Sequence, residues 1–240
     1  VSLYQWQVKV VCLPRKGRFR QCKVMPSEQK KQRALTLLER LIKRFPNARI
    51  ELECKEGDPW QLLVAVCLSA QTTDKQVNRV TPALFAAYPT VIAMAQAQPA
   101  DIEPYVHSLG FFRNKARNLV LAARALVQEH NGQVPRSRKQ LQQLPGVGPK
   151  SAAAIVSNAF GEQAIAVDTH VGRIARRLGL SQSQNPNRVE ADLTALLPKH
   201  KLLQAHHTLI WHGRRICHAR KPACKLCPVQ TLCLRVGVID

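Results

Sequence analysis

Leu144-Pro145-Gly146-Val147-Gly148-Pro149-Lys150, running straight into Ser151-Ala152-Ala153-Ala154-Ile155-Val156, reads as a tight hairpin between two helices. Glycine tolerates positive φ and carries no side chain, so Gly146 and Gly148 let the amides on either side of Val147 approach an anion closely. Pro149 suits the first position of a helix, and the helix that follows turns unpaired N–H groups and its positive dipole end toward the same place. A phosphate held in this way is held whatever the base sequence. The motif is a helix-hairpin-helix.

Outward from the hairpin the chain stays helical. Leu35, Leu38, Leu41, Ile42 and Phe45 recur at helical spacing behind a capping Ser27, and Pro46 stops the run. A second helix follows Pro59, and its Trp60 to Leu68 are apolar nearly all round, which requires burial. Further helices are predicted near 74–87, 114–130, 137–143, 150–160, 170–179, 187–197 and 201–213, with Gly, Pro or Asn between them. Strand signals are nearly absent and no internal repeat is visible, so the expected class is all-α.

A chain of 240 residues with 45% hydrophobic content has enough apolar surface for a sizeable core. Its 36 Lys and Arg stand against 15 Asp and Glu, a formal charge of +21 that implies a polyanionic partner, nucleic acid first. A membrane surface is the weaker reading, because no apolar run approaches about 18 residues and no lipidation motif is present. Aromatics at 5% argue against the stacking platforms of single-strand binders and favour duplex DNA. Residues 1–27, with Lys9, Arg15, Lys16, Arg18, Arg20 and Lys23 and no acid before Glu28, read as a basic arm: extra phosphate contact, a solvated tail, or an Arg-rich targeting segment.

Cys217, Cys224, Cys227 and Cys233 stand as C-x6-C-x2-C-x5-C. Structural zinc sites usually join two tight pairs across a long loop, and here only Cys224 and Cys227 form such a pair. A cubane takes one thiolate per iron corner and tolerates uneven spacing, so a [4Fe-4S] cluster fits better. Two disulfides are the competing reading, disfavoured by the lack of a secretory signal and by a chain long enough to need no staples. Of the remaining cysteines, Cys67 falls in the apolar helix as a small core residue, while Cys12, Cys22 and Cys54 read as free thiols.

Lys150 has two readings, a phosphate contact or a nucleophile. In the first turn of a helix the dipole disfavours an ammonium, and small apolar neighbours limit hydration. Both favour the neutral amine, which can attack a sugar carbon and form a Schiff base. Asp168 is the only acid between Glu162 and Glu190 and precedes a helical stretch, so it reads as an N-cap. A capping carboxylate stays ionised, which also makes it a fixed negative charge able to stabilise a developing sugar cation. His170 either orients that acid or a phosphate, or is a satisfied structural residue.

With these residues assembled, the chain resembles the endonuclease III family of the helix-hairpin-helix DNA glycosylases over roughly residues 28 to 240. The resemblance rests on Leu68-Ser69-Ala70-Gln71-Thr72-Thr73-Asp74, on Leu144 to Lys150, on Val167-Asp168-Thr169-His170 and on the four terminal cysteines. It implies two helical domains flanking a DNA cleft: a six-helix barrel over 52–162 that carries the hairpin, and a [4Fe-4S] domain made of 28–51 and 163–240. Lys150 falls on the family's catalytic lysine and Asp168 on its catalytic aspartate, with Gly146, Val147, Gly148 and His170 against DNA. Cations at Arg214, Arg215, Arg220, Lys221 and Lys225 would face phosphates from the cluster loop. Gln71 matches the residue that fills the gap left by an extruded nucleotide, although alone it would read as a helix-end amide. Phe111 stands where many relatives carry a wedge leucine, and as an aromatic it has a core position as its other option. The implied activity is a bifunctional DNA glycosylase and abasic-site lyase that removes oxidised pyrimidines through a lysine Schiff base and nicks by β-elimination. Adenine-specific relatives typically lack the lysine and carry a further C-terminal domain. A monomer in a reducing, DNA-containing compartment is expected, the bacterial cytoplasm first, with a nucleus or organelle as alternatives.

Overall fold

The computed structural model describes residues 27–238, which leaves the basic arm, Cys12 and Cys22 outside the described residues except for Ser27. Among the described residues there are eleven α-helices, three short 3-10 turns and no strand. The helices are α1 (Ser27–Arg44), α2 (Pro59–Leu68), α3 (Asp74–Ala87), α4 (Val91–Gln96), α5 (Pro99–Val106), α6 (Phe112–His130), α7 (Arg138–Leu141), α8 (Pro149–Phe160), α9 (Thr169–Arg177), α10 (Pro186–Leu196) and α11 (Leu202–Arg215).

Local chemistry sets the helix starts. Asp58 caps α2 by accepting from the Trp60 and Gln61 N–H groups, with Pro59 as the first helical residue. Thr90 caps α4 through the Ala93 N–H, and Asp101 accepts from the Gln98 N–H at the start of α5. The last two helices are not among those predicted from periodicity. Each is too short to complete an apolar stripe, and Pro99 and Pro104 read as breakers in a linear sequence.

Apolar side chains gather into two cores. The first is built around α2, whose Leu63, Val64, Ala65 and Leu68 are fully buried, and takes in residues between Leu52 and Val156. The second joins Ala34 to Leu41 of α1 to residues between Ile165 and Val229. Chain ends far apart in sequence are tied here by Arg33, whose guanidinium donates to the carbonyl oxygens of Leu178, Gly179 and Leu232. Cys67 is half-buried and packs on the first core, as its helix requires.

A charged knot crosses between the cores. Arg214 on α11 pairs with Glu51 and with Asp74 at the start of α3, and Arg215 pairs with Glu51 while lying 3.6 Å over the Trp211 ring. Trp211 Nε1 donates to the Arg49 carbonyl at 3.0 Å. Arg214 and Arg215 are therefore engaged within the protein, Arg214 partly buried and Arg215 still exposed. Arg220, Lys221 and Lys225 are exposed.

Candidate functional site

The hairpin enters from α7 and ends in α8. Gly146 has φ +81, and a Cβ there would also meet the Asn118 side chain of α6 at 3.0 Å, so glycine is required twice over. Gly148 has φ −84 and caps α8 with open space around it; its role is to leave room, not to supply left-handed backbone. Val147 is buried in the first core and its N–H donates to the Leu144 carbonyl. Its side chain therefore anchors the turn, while Gly146 and Gly148 on either side are exposed. The N–H groups of Gly146, Gly148, Lys150 and Ser151 donate to no group among the described residues, which leaves a cluster of free donors at the start of α8.

Lys150 is exposed in the first turn of α8, which corrects the expectation that small apolar neighbours limit its hydration. Asp168 caps α9: its Oδ1 accepts from the Val171 N–H at 2.7 Å and its Oδ2 accepts from His170 Nδ1 at 3.0 Å. The side chain is 11% exposed. Burial pushes its carboxyl up, but the hydrogen bonds from His170 and the Val171 N–H, together with the nearby charges of Lys150 and His170, outweigh that and hold it down at about 2. His170 thus orients the acid, the first of the roles open to it. Gly213 of α11 packs under His170, where a Cβ would come within 3.1 Å of the His170 Cβ. His206, also on α11, lies within electrostatic reach of Asp168 and Lys150, and burial drives its ring down to about 4, so it is neutral at neutral pH.

Gln71 and Phe111 rim a concavity of about 200 Å³ whose lining also includes Asn114, Lys115, Asn118 and Gly146. Phe111 is 66% exposed, so the core option is excluded. Both residues take left-handed backbone, at φ 54 and φ 58. Non-glycine residues hold this conformation only where the surroundings dictate it.

Cys217, Cys224, Cys227 and Cys233 line one small cavity together with Ile174, Arg177, His212 and Ile216. Burial raises the Cys227 thiol to about 11, and the three other cysteine sulfurs close by push it the same way. Four thiols around one apolar space suit a cluster with iron at several corners. Arg177, 8% exposed, holds the loop by donating to the His218 and Ala219 carbonyls and to Cys217 Sγ at 3.3 Å, and the Arg235 N–H donates to Cys233 Sγ. Sequence reading missed Arg177, Asn118, Thr72 and Lys115. Only Lys115 leaves a linear signal: it falls on the buried stripe of α6, in step with Leu119, Ala122 and Leu126.

Residues 64–199 match the sequence family described as HhH-GPD superfamily base excision DNA repair protein. Among curated relatives, endonuclease III of Synechocystis is 46% identical over 205 residues, covering 85% of this chain and 93% of that protein. Endonuclease III of Escherichia coli K12 is 39% identical over 203 residues, covering 85% and 95%. Among solved structures, a trapped endonuclease III–DNA covalent intermediate superimposes with a TM-score of 0.81 at 42% identity, covering 85% of this chain and 96% of that one. A non-covalent endonuclease III–DNA complex gives the same TM-score and identity. A thermostable thymine-DNA glycosylase, at 23% identity and TM-score 0.76, shares the fold.

Proposed function

The chain belongs to the HhH-GPD superfamily of base excision DNA repair proteins, in its endonuclease III family, and from that premise we propose how its own residues divide the work of a DNA glycosylase and abasic-site lyase. The observation that carries the assignment is an exposed first-turn lysine, Lys150, beside the free donors of the hairpin and within electrostatic reach of the ionised Asp168 that caps α9.

The substrate class is duplex DNA containing an oxidised pyrimidine or an abasic site. Hairpin amides and the α8 dipole hold the backbone on one side of the lesion. Gln71 and Phe111 occupy the space left when the damaged nucleotide leaves the stack, which offsets an unstacking cost of about a few kcal/mol. The Lys150 amine attacks the anomeric carbon, the glycosidic bond breaks, and the base departs with its bonding electrons and takes up a proton. With its carboxyl held near 2, Asp168 is a poor proton acceptor at neutral pH and a good fixed charge, so its main contribution is to stabilise positive charge on the sugar. The nitrogen, now joined to the anomeric carbon, loses a proton and the ring C1′–O4′ bond opens to leave a 4′ hydroxyl and an imine; the imine acidifies the hydrogen on the neighbouring C2′, and loss of that proton expels the 3′ phosphate. One panel of duplexes, each with a single lesion and scored separately for base release and nicking, tests this reading; release of only alkylated purines would overturn it.

The division into a 52–162 domain and a 28–51 plus 163–240 domain follows the two cores and is proposed with the mechanism. Cys217, Cys224, Cys227 and Cys233 would hold a [4Fe-4S] cluster, which supplies a fixed cross-link for the loop when bound. Analysis of the purified protein is expected to return about four irons and four sulfides per chain, and thiolate-bound metal without sulfide would refute the cluster. The enzyme acts as a monomer in a reducing compartment that contains DNA. No helix among the described residues is long and apolar enough to cross a membrane.

The two hairpin glycines separate folding from binding. Gly146→Ala combines a left-handed backbone with a clash against Asn118 and is expected to cost about 2 kcal/mol in chemical denaturation. Gly148→Ala meets no protein atom, so stability stays within about 0.5 kcal/mol while affinity for undamaged duplex falls about tenfold, because the added methyl group occupies the phosphate position.

A further inference from the structure

Gln71 and Phe111 lie on separate segments, yet a single side chain connects them. Lys115 sits in the first turn of α6, its own N–H donating to the Phe111 carbonyl at 3.0 Å. Its ammonium crosses to the other segment and donates to Thr72 Oγ1 at 2.6 Å. Thr72, the residue after Gln71, donates its hydroxyl hydrogen bond to the Ala70 carbonyl at 3.3 Å, which turns an oxygen lone pair toward Lys115. The path from one left-handed tip to the other is therefore Phe111, Lys115, Thr72, Gln71, and all of it but Thr72 lines the concavity that both tips rim.

We propose that the Lys115–Thr72 hydrogen bond is a strut that sets the separation of the Gln71 and Phe111 tips, making Lys115 a positioning residue for nucleotide extrusion. The inference rests on the reading of those tips as the gap-filling pair. Lys115 is only 8% exposed as a residue, although its charged end is just partly buried where it lines the concavity, and an ammonium so placed with one neutral acceptor adds little to a core. An unbranched apolar side chain of similar length would fill the same space without the desolvation cost. What it could not do is fix the angle and distance of the 70–72 turn, because dispersion contacts carry no direction and a hydrogen bond does. Two tips entering one duplex step must arrive at a set spacing, and a directional tie between their bases provides it.

The test compares Lys115→Met, Thr72→Val, Thr72→Ser and the Lys115→Met/Thr72→Val double variant on two duplexes, one with a single oxidised pyrimidine and one with an abasic site. Base release under single-turnover conditions is expected to fall about tenfold in both single variants and no further in the double, the signature of one shared interaction. Thr72→Ser keeps the acceptor and restores the rate. Lys115→Met melts no lower than the unmodified protein, and 2-aminopurine placed beside the lesion reports the loss of extrusion directly. Nicking at the abasic site, where no base has to be drawn out, changes less than about twofold. Equal losses on the two duplexes, additive losses in the double variant, or no loss at all would each overturn the strut. If the unmodified protein neither releases a base nor nicks abasic DNA, the gap-filling reading falls and the strut with it. If it does both and the variants match it, the strut alone falls.

Discussion

Lys150→Gln is expected to abolish borohydride capture of abasic duplex and to lower base release about 10⁴-fold, while the protein stays folded and bound to DNA. An amide nitrogen has no lone pair free for attack and forms no imine, so the covalent route closes. Stability should move by less than about 0.5 kcal/mol, because Lys150 is exposed and makes no hydrogen bond among the described residues. Duplex affinity falls a few fold at most, since the free hairpin amides remain and only one cation is lost. Capture that survives the substitution would remove Lys150 from the mechanism. Digestion of the unmodified adduct should place the DNA on the peptide containing Lys150.

The second large effect belongs to Asp168→Asn. The amide can keep the bond to the Val171 N–H, but the group facing His170 either turns from acceptor to donor or forces the ring to change tautomer. Loss of the fixed charge is expected to slow base release about 10²- to 10³-fold, the usual cost of one preorganised electrostatic group. Imine formation on preformed abasic DNA suffers less, because no glycosidic bond has to break. The substitution also reports on stability. The Asp168 carboxyl titrates near 2 in the folded protein, below the ordinary aspartate value near 3.8, so ionisation favours folding. That contribution, about 2 kcal/mol, is complete above pH 4 and disappears as the pH falls through 2. Unfolding curves of the two proteins should therefore differ most at neutral pH and converge in strong acid. A gap that widens with acidification would contradict the assignment.

Three features were legible along the chain because each is local. The hairpin spans a few residues whose glycines and proline encode their own backbone geometry; the four cysteines occupy one loop; Asp168 is a cap within one turn of the N–H it accepts from. Buried α2 was equally plain, since a run apolar on every face has no exposed position to occupy. Where local signals were weak, the reading was incomplete. Helices α4 and α5 form because α6 offers them an apolar surface, and no property of six or eight residues alone shows that. Val147 reads as part of a DNA-facing turn, but its side chain had the core within reach and water as the alternative, so it turned inward.

Composition and short motifs by themselves determined a helical, basic protein with a helix-hairpin-helix, four cysteines in one loop, and the lysine and aspartate on which the proposed chemistry rests. The folded chain alone decided which basic residues are engaged inside the protein: Arg214 and Arg215 are held by Glu51 and Asp74, and Arg177 is committed to the cysteine loop. It also decided that Gln71 and Phe111 share one concavity and that Lys115 reaches Thr72. The division has a physical cause. Backbone geometry and capping act within a turn and are written in neighbouring residues, whereas a buried ammonium finds its acceptor across 43 residues only after the apolar cores have brought two helices together.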